Sequence, residues 1–76
     1  MSTWNYRMLE HKNLDGSSWF AIHEVYYNKD GVADRCSEGP CSVHGEDIET
    51  LTTDLEYMMK ALIKPVLSYN DFGNKE

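Results

Sequence analysis

Cys36, Cys41 and His44 are the residues of this 76-residue sequence whose types and spacing come nearest to reactive chemistry. Thiolates and an imidazole can bind zinc, or pair as nucleophile and base. A closed zinc site needs four ligands, so a fourth would have to come from His23 or Glu38. Two ordinary reduced thiols are the expected reading, with a metal or thiol site at Cys36, Cys41 and His44 as the alternative. A Cys41–His44 nucleophile pair has no third group to orient it and no donors for an oxyanion. No catalytic residue is assigned, no cofactor is expected, and the chain reads as a non-enzyme.

Two other groupings invite the same question. His23 and Glu24 are neighbours, but neighbours in a strand point to opposite faces and do not act together. His23 reads instead as a cross-strand surface partner of Arg7. Glu46, Asp47, Glu49, Asp54 and Glu56 form an acidic run without the alternating ligands and central glycine of a calcium loop. A solvated helix face is the default, and a docking surface for a basic protein is the sharper alternative.

The elements that must position these residues are legible from periodicity. Residues 4–11 alternate, with Trp4, Tyr6 and Met8 on one face and Asn5 and Arg7 on the other, which predicts a half-buried strand. Asn13, Asp15-Gly16 and two serines make a loop. Residues 19–27 are aromatic and β-branched and predict the central strand. Asn28-Lys29-Asp30-Gly31 predicts a tight turn into a third strand at 32–37, which Glu38-Gly39-Pro40 ends. Ile48, Leu51, Leu55, Met58, Met59 and Leu62 fall at helical spacing. Asp47 is the expected N-cap and Pro65 the stop. Residues 66–69 form a candidate short fourth strand, and 70–76 a polar tail expected to fray.

The expected fold is therefore α+β, in the order β-β-β-α-(β). A three-stranded antiparallel sheet, with that short fourth strand in reserve, carries one amphipathic helix packed on one face. A hairpin through 12–18 pairs His11 with Trp19, Met8 with Ile22, Arg7 with His23, Tyr6 with Glu24 and Trp4 with Tyr26. The helix then seats on Trp4, Tyr6, Met8, Phe20, Ile22 and Tyr26, with the Tyr6 hydroxyl expected to satisfy Glu24. The opposite face carries Arg7, Leu9, Trp19, Ala21, His23, Val25 and Tyr27. One helix cannot cover both faces, so Tyr69 and Phe72 fold back over the second, or it meets another copy or a partner. Arg7, Trp19, His23, Val25 and Tyr27, with Glu49 and Glu56 of the helix, are the candidate interaction residues.

Composition narrows the partner. The net charge of −6 argues against nucleic acid and against anionic membranes, since both need clustered Lys and Arg. The apolar share of 41% and charged share of 26% are those of a globular chain, expected as one domain over residues 1–76. No basic region followed by an apolar run opens the sequence, and two cysteines are too few for a stapled secreted scaffold. A reducing, cytoplasmic setting is expected.

The order strand, Asp15-Gly16 loop, aromatic strand, then residues 39–51 (Gly-Pro-Cys-Ser-Val-His-Gly-Glu-Asp-Ile-Glu-Thr-Leu) leading into a helix is similar to HicB-like antitoxin domains. Those carry a Pro-Gly-Cys turn and a Gly-Asp-Thr or Gly-Asp-Ser helix cap. Here Gly39-Pro40 inverts the turn, the stretch before Cys41 is longer, and no ribbon-helix-helix or helix-turn-helix is expected. Residues 19–27, with Lys64-Pro65-Val66-Leu67, resemble a family of short bacterial proteins with no assigned function. The antitoxin resemblance implies a protein-binding regulatory module that would cap a basic, RNA-cleaving partner.

Overall fold

The computed structural model describes residues 3–75, with side chains through 73. Strand β1 (Thr3–Lys12) and strand β2 (Ser18–Tyr27) form a long antiparallel hairpin. Its register pairs His11 with Trp19, Arg7 with His23, Tyr6 with Glu24 and Trp4 with Tyr26, as the alternation requires. Asp15 Oδ1 accepts from the Ser17 backbone N–H in the connecting loop. Strand β3 (Ala33–Cys36) is antiparallel to β2, with a register shift at Tyr26/Tyr27. In the turn before it, Gly31 adopts φ 78° while Asn28 Oδ1 accepts from the Asp30 and Val32 N–H groups. An L-residue with a side chain resists that left-handed conformation.

Helix α1 (Ile48–Met59) begins where Asp47 Oδ1 accepts the Thr50 N–H at 2.7 Å. It tightens into a 3-10 turn at Lys60–Ile63 and ends before Pro65. Strand β4 (Leu67–Ser68) then runs parallel to β1. A 3-10 turn at Tyr69–Asp71 leads to strand β5 (Asn74–Lys75), which runs parallel to β3. The sheet is mixed and five-stranded, in the order β4-β1-β2-β3-β5, rather than three antiparallel strands with one short addition. A two-residue edge strand carries almost no periodicity, which is why the sequence does not announce β5.

The two edges are joined by only six peptide steps from Ser68 to Asn74. Four inter-strand spacings amount to about 19 Å. With three of its residues wound as a 3-10 turn, the segment reaches roughly 16 Å. A flat sheet could not be bridged, so the sheet curls around the tail. Residues 70–73, expected to fray, are instead part of the fold: Phe72 is buried against Leu9, Val25 and Cys36, with Tyr27, Ala33, Leu67 and Tyr69 around it. Glu76 lies outside the described residues.

The other face holds a second cluster of Tyr6, Met58 and Ala61, flanked by Ile22 and Cys41. The helix does not lay its whole apolar stripe on the sheet. Its inward side is Asp54, Tyr57, Met58 and the following Ala61. Tyr6 Oη donates to Asp54 Oδ1 at 3.0 Å, and the Trp4, Tyr6 and Tyr57 rings meet edge to face at 5.3–5.7 Å. That polar and aromatic clamp fixes the helix's rotation, which the spacing of apolar residues alone assigns differently. It also leaves Glu24 to accept from Tyr26 Oη at 2.6 Å, not from Tyr6.

The loop into the helix passes so close that a Cβ on Gly45 would sit 2.6 Å from the Leu51 backbone nitrogen. A Cβ on Gly39 would meet nothing within 4 Å. Gly45→Ala is expected to lower stability by about 1–3 kcal/mol, read as a reduced urea midpoint, with Gly39→Ala close to the parent chain. Equal midpoints would refute the close approach.

Candidate functional site

The face carrying Arg7, Trp19, His23, Val25 and Tyr27 is the one for which the sequence leaves the tail, another copy or a partner as cover. It is closed by the C-terminal segment. His23 and Val25 are fully buried. His11 is stacked between Trp19 and Tyr69, at ring separations of 3.9 and 4.1 Å. The Tyr69 hydroxyl donates to the Glu38 carbonyl, and the Lys12 N–H donates to Asn70 Oδ1. Arg7 is a strut rather than a surface cation. Its Nη1 donates to Tyr27 Oη at 2.9 Å and its Nη2 to the Pro65 carbonyl at 2.7 Å. Tyr27 Oη passes the chain on to Asn5 Oδ1. Arg7 Nε is buried without a partner among the described residues. Of the sheet candidates, Trp19 alone keeps substantial exposure.

Beneath the stack lies a histidine pair, with His11 Nε2 and His23 Nε2 2.8 Å apart. Its protons can be placed from their partners. His23 Nδ1 faces the Ser37 carbonyl at 3.0 Å and Ser37 Oγ at 3.1 Å, and that hydroxyl already donates to the Gly39 carbonyl. Both are acceptors, so His23 carries its proton on Nδ1 and presents a bare Nε2. His11 must then donate from Nε2. A proton added to His23 would be buried and would meet that N–H head on. Burial, reinforced by His11 and opposed by the Ser37 carbonyl, holds the His23 pKa below the ordinary value of 6.5. The expected surface pair of His23 with Arg7 does not form. The hairpin register was legible, but the depth of the tail above it was not.

Cys36 and Cys41 are divided between the two faces. Cys36 is fully buried in the cluster under Phe72, while Cys41 packs beside Met58 and Ala61 and its N–H donates to the Ile22 carbonyl. The alternative set Cys36, Cys41 and His44 is not assembled, because the sheet separates Cys36 from the groove that holds the other two. That groove, of about 430 Å³, is lined by Tyr6, Glu24, Cys41, His44 and Asp54 among others. Burial, aided by the Glu24 carboxylate, pushes the Cys41 thiol above its usual range, away from the thiolate that attack or metal ligation needs. Burial and Asp54 likewise push the Tyr6 hydroxyl up to about 12. Among the described residues, no three His, Cys, Asp or Glu side chains are placed to hold a metal ion.

Among the described residues, exposed apolar side chains include Trp4, Trp19 and Phe20 of the sheet and a run along the helix. Ile48 is 80% exposed, Leu55 40%, Met59 54% and Leu62 61%, and Ile63 and Val66 are exposed as well. Of α1, only Met58 is buried. Glu49 and Glu56 are exposed along one flank of this stripe, about a quarter turn away. The periodicity found these apolar residues, but read them as core. No family model, curated protein or solved structure matches the chain.

The histidine pair sets a pH dependence. Below about pH 6.5 the unfolded chain takes up a proton that folded His23 resists, so unfolding is favoured as the pH falls. Urea unfolding should show a flat stability above that value and a decline on acidification towards pH 5. The slope should not exceed about 1.4 kcal/mol per pH unit for this one proton. The double variant His11→Gln/His23→Gln should lose that slope. A parent chain equally stable at pH 7.5 and 5.5 would refute the assignment.

Proposed function

We propose that the chain is a non-enzymatic binding module, regulatory in character, that docks a protein through the outward face of α1. The observation that carries this reading is the exposed stripe of Ile48, Leu55, Met59 and Leu62. A helix in a small domain ordinarily turns its apolar side inward, and contiguous exposed apolar surface marks contact with another molecule. Among the described residues, the sheet face under the tail keeps only Trp19 of its candidates well exposed. The acidic balance disfavours a phosphate backbone as the ligand. Among the described residues, no helix is long and apolar enough to cross a membrane. The similarity of residues 39–51 to the entry into the helix of HicB-like domains fits a regulatory role for the same element.

A photoreactive phenylalanine analogue placed at Leu55 or Leu62 tests this directly. Irradiation of cells producing the protein should give protein adducts from both helix positions. The same probe at Leu14, a fully exposed loop residue, should give none. Absence of adducts from Leu55 and Leu62 alike, or equal yield from Leu14, would overturn the reading.

A further inference from the structure

We propose that the occupant of this face is a second copy of the chain, with the two α1 helices packed antiparallel across a twofold axis at Leu55. The inference rests on the binding reading above and supplies its partner. In an antiparallel pair with its axis at one residue, each position before the axis meets the position equally far after it. Ile48 lies seven residues before Leu55 and Leu62 seven after; Leu51 lies four before and Met59 four after. The apolar stripe is therefore its own complement. Ile48 meets the partner's Leu62, Leu55 meets its counterpart, and the half-buried Leu51 borders the partner's Met59.

The charges obey the same symmetry. Glu46 lies nine residues before the axis and Lys64 nine after, just beyond the two ends of the helical stretch. Glu49 falls opposite the partner's inward-turned Ala61 and next to the partner's Lys60, an exposed residue whose ammonium lies 5.5 Å from the centroid of its own Tyr57 ring. An acidic beginning thus faces a basic end at both sides of the pair, and the helix dipoles run in opposition. A parallel pairing would set acid beside acid. Glu56 falls opposite the partner's Asp54, but Asp54 is turned inward to Tyr6 and away from the stripe. With α1 only 12 residues, or roughly 18 Å, long, the contact belongs to the small end of specific interfaces and forms a reversible dimer.

Sedimentation equilibrium of the intact chain from roughly 1 µM to 1 mM should show concentration-dependent dimer. Lys60→Glu with Lys64→Glu should weaken it about tenfold, and adding Glu46→Lys with Glu49→Lys should restore it. In a Cys41→Ser background, Leu55→Cys should form an intermolecular disulfide under mild oxidation, and Leu14→Cys should not. Circular dichroism confirms that each variant is folded. A monomer throughout the range, or a dimer indifferent to charge reversal that leaves Cys-substituted Leu55 unlinked, overturns the self-pairing. If the chain is monomeric while the photoprobe at Leu55 captures a different protein, the self-pairing falls and the binding reading stands. If neither occurs, both fall.

Discussion

Tyr69 stacked on His11, with Phe72 seated beside it on Leu9, Val25 and Cys36, closes the face of the hairpin that the helix does not reach. The constraint behind this contact is elementary. A long aromatic hairpin has two apolar faces, and among the described residues α1 is the one α-helix that can cover them. A domain this small buries a limited share of its surface, so covering both faces adds to a modest stability. The tail's return to strand β5 on the far edge of the sheet therefore decides much of the structure. It curls the sheet, buries Cys36 and His23, and converts Arg7 from a surface cation into a strut reaching Pro65.

Polar groups set the geometry on both sides of that sheet. On the tail side, the carbonyl and hydroxyl of Ser37 dictate which nitrogen of His23 carries its proton, and so which way the histidine pair is hydrogen-bonded. On the helix side, Asp54 accepts from Tyr6 and brings Tyr57 against Trp4. Most buried polar atoms are hydrogen-bonded, and hydrogen bonds are more directional than apolar packing. They hold α1 in a rotation that buries Met58 and leaves Ile48, Leu55, Met59 and Leu62 outward. A surface for association arises here because the helix's best apolar side is not the side its own sheet uses.

The thiols show the same division of labour. Cys36 and Cys41 are close in sequence, and His44 closer still to Cys41. Strand β3 ends at Cys36, and the chain beyond it carries Cys41 to the cluster on the opposite face. Proximity along the chain is thereby undone by the alternation of faces in a sheet.

The sequence by itself determined the hairpin and its register, the Asp47 cap and the span of the helix. Each is encoded locally: alternation of period two fixes which residues of 4–11 and 19–27 share a face, and a capping carboxylate acts within one turn. It left the tail, another copy and a partner all open as cover for the second sheet face and assigned the helix stripe to the core. Those matters were decided by tertiary structure alone. Whether Phe72 returns across the sheet depends on closing a loop between β4 and β5, two edge strands too short to carry a periodic signal. Which side of α1 turns inward depends on Tyr6 and Asp54, 48 residues apart, finding one another. Local patterns record which residues are apolar; only the packed chain records what each of them is packed against.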